Sequence, residues 1–164
     1  MSTDINDRIA VERRLWDEVE RHQIGMLGLV GETSHFQPMT AFIDRDAERI
    51  WFFTRADTGL VHQVGGAHQA MFVFQQADLQ ACIGGELAVD HDTGRLAKYW
   101  NAVIAAWHPE GRDDPNLTML RLDCHDAQVW ISQGGPVKFA WEIAKARMTK
   151  TPPHVVGRAN IDFH

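Results

Sequence analysis

A single stretch, FQPMTAFIDRDAERIWFFTRADTGLVH from Phe36 to His62, limits the folds open to this chain more than any other. Residues Phe36 to Ile43 read as a strand, Asp44-Arg45-Asp46 supplies turn chemistry, and Arg49 to Thr54 (RIWFFT) is a second, more apolar strand. A turn this short joins antiparallel neighbours, because a parallel pair needs a crossover of about a dozen residues or more. After Thr54 the apolar run stops, and Asp57 or Thr58 can cap a helix whose positions Leu60, Val61 and Val64 face inward. Backbone N–H groups therefore collect just past a strand end, a place suited to an anion such as phosphate.

The rest of the chain repeats the theme of strands joined by short turns. Asn6 to Glu20 carries Ile9, Val11, Leu15, Trp16 and Val19 at helical spacing among charges, which predicts an amphipathic helix. Ile24 to Val30 favours a strand, as its glycines weaken a helix. Ala70 to Phe74 has strand composition, and Leu79 to His91 reads as a longer strand with a break at Gly84-Gly85, where a bulge would let it curl around a barrel. Arg95 to Ala106 reads mostly as helix, and Trp107 to Pro115 (WHPEGRDDP) as loop. Leu117 to Cys124 and Ala127 to Ser132 suggest a second hairpin. Gly134-Gly135-Pro136 then opens a helix bearing Val137, Ala140, Trp141 and Ala144 on one side, and the tail from Thr149 is expected to be extended. Hairpin-linked strands outnumber crossovers, so an antiparallel barrel with peripheral helices is expected rather than a doubly wound sheet.

At 164 residues the chain fits one domain, 1–164, large enough to form a core without metal or disulfide. A formal charge of -6 disfavours a nucleic-acid partner. The charged N-terminus lacks an apolar signal core, and no run of about 18 apolar residues offers a membrane span, so a cytoplasmic location is the expectation. Cys82 and Cys124 read as buried free thiols in strands. Among nine histidines no HxH or HExxH occurs, and His62, His68, His91, His108 and His125 are too scattered to form a metal site. GxGxxG, GxxxxGK[ST] and GxSxG are absent, which removes the nucleotide folds and hydrolases built on them. Trp16, Trp51, Trp100, Trp130 and Trp141 fall on apolar faces suited to a core or subunit interface, whereas Trp107 opens a loop from which it can meet a flat ligand.

The run QPM followed by RIWFFT and the DTG helix start, then GGELAV, KYW, WHPEGRDDPNLTMLRL and AQVWIS, resembles the general stress protein 26 group of the pyridoxamine 5'-phosphate oxidase-like, FMN-binding split-barrel family over residues 8 to 150. The resemblance implies a mainly β fold, a six-stranded antiparallel split barrel, and a homodimer with two flavin sites at the subunit interface. It implies FMN, or another flavin such as FAD, held partly by backbone of the strand containing Gln37, Pro38, Met39 and Thr40. Phe53, Thr54 and Arg55 follow at the end of the next strand, with Thr58 and Gly59 near the phosphate and Trp107 approaching from the other subunit. Similar proteins carry Arg where Gln37 stands and Lys where Leu60 stands, both serving the phosphate; here Arg55 or His62 is left for that role. A stress-associated oxidoreductase is implied, with a flavin-binding or sensing protein, or a split barrel that has lost FMN, as alternatives. No catalytic acid or base stands out, and no late Arg/His cluster suits the substrate of pyridoxamine phosphate oxidation itself.

Overall fold

In the computed structural model, which describes residues 3–132, 136–152 and 156–164, all strand pairing is antiparallel and falls into one sheet. The chain runs through α1 (Arg8–His22), β1 (Ile24–Leu29), β2 (Gln37–Thr40), β3 (Phe42–Asp44), β4 (Arg49–Arg55), α2 (Gly59–Val64), β5 (His68–Gln75) and β6 (Leu79–Asp90). It continues through α3 (Thr93–Tyr99), α4 (Ala102–Trp107), β7 (Leu117–Ser132), α5 (Pro136–Thr149) and β8 (Val156–Asp162). The strands lie in the order β2-β1-β5-β6-β7-β4-β3, with β8 also paired to β7.

That order closes the sheet. Its two ends, β2 and β3, are separated in the chain by Ala41 alone, and two trans peptide steps span at most roughly 7 Å. The ends must therefore meet, and the sheet curls into a barrel. Among the described residues no ladder joins β2 to β3, so the barrel is split along that seam. The expected single strand Phe36 to Ile43 is thus two short ones, which change partners at Ala41, whose N–H bonds the Gln23 carbonyl at 2.7 Å.

The second hairpin expected at 117–132 is instead one 16-residue strand, β7. What resembled a turn at His125-Asp126 is a bulge: pairing with β6 jumps from Gly84↔Asp126 to Gly85↔Cys124, leaving His125 unmatched. A Cβ on Gly85 would run into the Asp123 carbonyl, so glycine permits the close approach there. Beyond the bulge β7 bends from pairing with β4 (Leu117 to Asp123) to pairing with β8 (Asp126 to Ser132). The splitting of Phe36 to Ile43, the merging of β7 and the strand in the tail bring the total to eight. The helix expected at 95–106 is two, broken where Trp100 turns extended and Asn101 caps α4, its Oδ1 accepting the Ile104 N–H at 3.0 Å.

Inside the barrel Leu27, Ile50, Phe52, Phe72, Phe74 and Leu120 are fully buried, and α1 covers them with Val11, Leu15, Trp16 and Val19. Ile9 of α1 faces solvent. A second cluster of Phe42, Trp51, Ile104 and Met119 forms outside the sheet, with Leu96 and Tyr99 packed against it. Because β4 sends Ile50 and Phe52 inward and Trp51 outward into that cluster, it is buried on both faces, which explains its unbroken apolar run. Trp16 and Trp51 are buried, Trp100 and Trp130 half-buried, and Trp141 exposed on α5. Cys124 is buried, but Cys82, expected to be so, is half-buried on the outer face. Gly134 and Gly135 lie outside the described residues. No described helix is long and apolar enough to cross a membrane.

Candidate functional site

The open seam contains a cavity of about 410 Å³, within the range of roughly 300–1,000 Å³ usual for small-molecule sites. One wall is β2, with Gln37, Pro38, Met39 and Thr40. Among the described residues β2 pairs only with β1, so its other edge leaves main-chain groups free of ladder partners there. The opposite wall is the end of β4, where Phe53, Thr54 and Arg55 lead to Thr58. Val103, Ile104 and Trp107 of α4 close the third side. Apolar surface dominates, with polar groups at Gln37, Thr40, Thr54 and Thr58.

Nine of the eleven sequence-predicted site residues thus line one cavity, drawn from segments 37–40, 53–58 and residue 107. Gly59 and Leu60 do not. Thr58 caps α2, its Oγ1 accepting the Val61 N–H at 3.4 Å and donating to the Arg55 carbonyl at 3.0 Å. That phase turns Leu60 and Val64 into the barrel core, leaving Leu60 only 4% exposed. Capping also leaves the Gly59 and Leu60 N–H groups, first in the helix, without intrahelical acceptors beside the rim at Thr58. Trp107 is 74% exposed, at the end of α4 rather than the start of the loop, and lines the cavity of its own chain.

Among the described residues lining the cavity, one is a Lys or Arg, Arg55. Arg55 donates from Nε and an Nη to the two oxygens of Asp57, each at 3.1 Å. The pairing raises the Arg55 pKa, and the same guanidinium holds Asp57 below the usual carboxylate range.

Several lining residues escaped the sequence reading: Gln23, Ile24, Phe42, Asn101, Val103, Ile104 and His108. Val103 and Ile104 carried the helical periodicity, but the face they present depends on the break at Trp100. His108 is 3% exposed, with Nδ1 3.1 Å from Oδ2 of Asp114, itself 8% exposed. Asp114 Oδ1 accepts the Asn116 N–H at 2.8 Å. That backbone bond, then the His108 bond, pull the Asp114 carboxyl below its ordinary range against the opposing effect of burial. The loop 108–117 is wound around this carboxylate through bonds such as Asp114 N–H to the Gly111 carbonyl at 3.1 Å and Leu117 N–H to the Asp114 carbonyl at 3.0 Å. The only signal in the sequence is an Asp six residues after a His within a Pro- and Gly-rich loop.

Comparison with known proteins agrees with this geometry. The family model described as pyridoxamine 5'-phosphate oxidase like matches residues 10–154. Among solved structures, one described as a general stress protein 26 from Jannaschia sp. CCS1 superposes with a TM-score of 0.77 at 32% identity, covering 94% of this chain and 99% of that one. A general stress family protein from Xanthomonas campestris pv. campestris gives 0.72 at 37% identity over 79% of this chain and 92% of that one. The general stress FMN/FAD binding protein of Xanthomonas citri gives 0.69 at 38% identity over 74% and 89%. No curated protein matches. With most of its length matched by the family model and its split barrel shared with these structures, the chain belongs to the pyridoxamine 5'-phosphate oxidase-like family, alongside the general stress protein 26 group.

Proposed function

We propose that the seam cavity binds a flavin, FMN first, in a stress-associated oxidoreductase. The observation that carries the reading is the convergence of β2, the β4 end and α4 on one mostly apolar cavity with an anion-suited rim. The residues fit the group. Met39, Phe53, Ile104 and Trp107 offer apolar surface to a planar ring, the unpaired edge of β2 offers main-chain donors and acceptors to its polar rim, and Thr58 with Arg55 suits the phosphate. When bound, the flavin supplies hydride or electron transfer; the chain's residues bind it, orient it and limit its exposure to water. The FMN/FAD binding described for the Xanthomonas citri protein is in keeping with this.

A homodimer belongs to the same proposal. Met26 and Val73, paired in register on β1 and β5, are 39% and 38% exposed, and Ile24, which also lines the cavity, is 62% exposed. These three leave apolar surface beside the site that a second copy would cover, and Val137, Trp141 and Met148 of α5 are exposed as well.

An absorption spectrum of the purified protein, followed by titration with FMN and FAD, tests the ligand. Flavin bands that NADH or NADPH bleaches support the oxidoreductase, while bound flavin that neither bleaches supports a binding or sensing protein. Absence of binding to either flavin refutes the site. A monomer by light scattering, unchanged on adding flavin, refutes the dimer.

A further inference from the structure

One polar group in the cavity wall is shut away from bulk water yet left with half its hydrogen-bonding capacity unused. Among the described residues no hydrogen bond reaches His108 Nε2, although the ring is only 3% exposed. The described buried side-chain nitrogens and oxygens that are both sealed and unpartnered are the indole nitrogens of Trp16 and Trp51 alone. His108 Nε2 is therefore unpartnered but reachable, and the open space beside His108 is the cavity it lines. Asp114 determines which nitrogen is free. As a carboxylate it can only accept, so Nδ1 carries the proton and Nε2 of the neutral ring presents a lone pair. Of the described residues lining the cavity, only Arg55 and His108 ionise, and a guanidinium keeps its proton.

We propose that His108 is the acid–base group of this cavity, accepting a proton at Nε2 from an N–H or O–H of the bound ligand and returning it, with Asp114 as its positioning residue. The proposal rests on the flavin reading and assigns a role that reading leaves open. In the forward direction the ligand's N–H or O–H bond breaks, its electron pair stays on that nitrogen or oxygen, and a new N–H bond forms at Nε2. The resulting imidazolium is held beside the Asp114 carboxylate. Other charges nearby are Arg55 at the end of β4, which acts on Asp114 and pairs with Asp57, and the exposed Glu110, Arg112 and Asp113 of the loop. α4 contributes none.

The test is nitrogen-15 NMR of the histidines in the full-length protein, before and after adding FMN, with spectrophotometry to establish that FMN is bound. In the unliganded wild type His108 should show the Nδ1–H tautomer. FMN should shift its Nε2 resonance, and Asp114→Asn should abolish the tautomer preference. Once bound FMN has been reduced with dithionite, His108→Gln should slow its reoxidation by ferricyanide, the direction in which the ligand gives up N–H protons, on the order of 100-fold without abolishing FMN binding. An Nε2–H tautomer, an Nε2 resonance indifferent to bound FMN, or reduced bound FMN reoxidised alike by wild type and His108→Gln overturns the proposal while leaving the flavin site standing. A retained tautomer preference in Asp114→Asn overturns the role of Asp114. If the wild type binds no FMN, the flavin reading and the proposal fall together. The measurements on the wild type decide the matter even if a variant fails to fold.

Discussion

Replacing Gln37 by Arg should tighten FMN about tenfold and leave riboflavin unchanged. Gln37 opens β2 at a half-buried position on the cavity wall, so a longer basic side chain can reach the rim without disturbing the pairing of Gln37 with Leu27. The existing cation there, Arg55, is already committed to both oxygens of Asp57, so a second guanidinium adds charge where little is free. A hydrogen bond to a charged group contributes roughly 1.5–3 kcal/mol, and about 1.4 kcal/mol is a factor of ten in affinity. Half-exposure and the nearby Asp57 place the gain at the lower end. Leu60→Lys is not an equivalent repair, whatever the resemblance implies for that position. Leu60 is 4% exposed in the core, so the change forfeits roughly 1.5–3 kcal/mol of burial and brings an ammonium group into apolar surroundings. It should lower the melting temperature, while Gln37→Arg should not. Titration calorimetry with FMN and riboflavin on wild type and Gln37→Arg, with a thermal melt of each, is the assay. An equal gain for riboflavin, or none for FMN, would refute a phosphate at this end of the cavity.

Two tryptophans should separate stability from ligand binding. Trp51→Ala, at 2% exposure, should cost roughly 3–5 kcal/mol in denaturant unfolding, whereas Trp107→Ala, at 74%, should stay within about 0.5 kcal/mol and weaken flavin instead; comparable destabilisation by both would show Trp107 to be a core residue. Gly85→Ala should destabilise, since a Cβ would strike the Asp123 carbonyl at the bulge, while Gly59→Ala, in open space in the first turn of α2, should be neutral or slightly stabilising in the same unfolding experiment. Asp114 has a folded pKa below its unfolded value of about 3.9, so its contribution is complete above that pH and is lost as pH falls through the folded value. Wild type should thus exceed Asp114→Asn in melting temperature at neutral pH and lose that advantage in acid; a gap that persists or widens in acid would refute the assignment.

The parts of the fold legible in the sequence are those set by local chemistry. Thr58 caps α2, and the Gly84-Gly85 pair marks the register shift, both within a few residues of the signal that reveals them. The errors fall where long-range pairing overrides a local pattern. His125-Asp126 resembles a turn, but continuous pairing with β6 on one flank holds the backbone extended and absorbs the extra residue as a bulge. Phe36 to Ile43 resembles one strand because both of its halves are extended; only their different partners, β1 and β4, divide it. The segments forming the cavity walls were legible through the family resemblance. The His108–Asp114 pair was not, because a loop's hydrogen bonding leaves no periodicity behind.

Why the cavity sits where it does follows from the same division. A barrel strand buried on both faces, as β4 is through Ile50 to Phe52, can become polar only towards its ends, and Thr54-Arg55, the last residues paired with β7, form one of them. β2 faces it across the seam with one edge unpaired, and β3 is too short to fill the gap: its ladder with β4 ends at Phe42↔Trp51, short of Phe53 and Thr54. Backbone polar groups next to such a gap need water or a ligand. The break between α3 and α4 lets α4 turn Val103, Ile104 and Trp107 toward the gap while Leu96 and Tyr99, from α3, stay on the outer cluster. A mutation that straightened the helix, such as Asn101→Ala with loss of its cap on Ile104, should therefore act on the cavity before it acts on the barrel. Flavin affinity should fall by more than the change in unfolding free energy accounts for, and equal losses in the two would show that the break has no part in shaping the site.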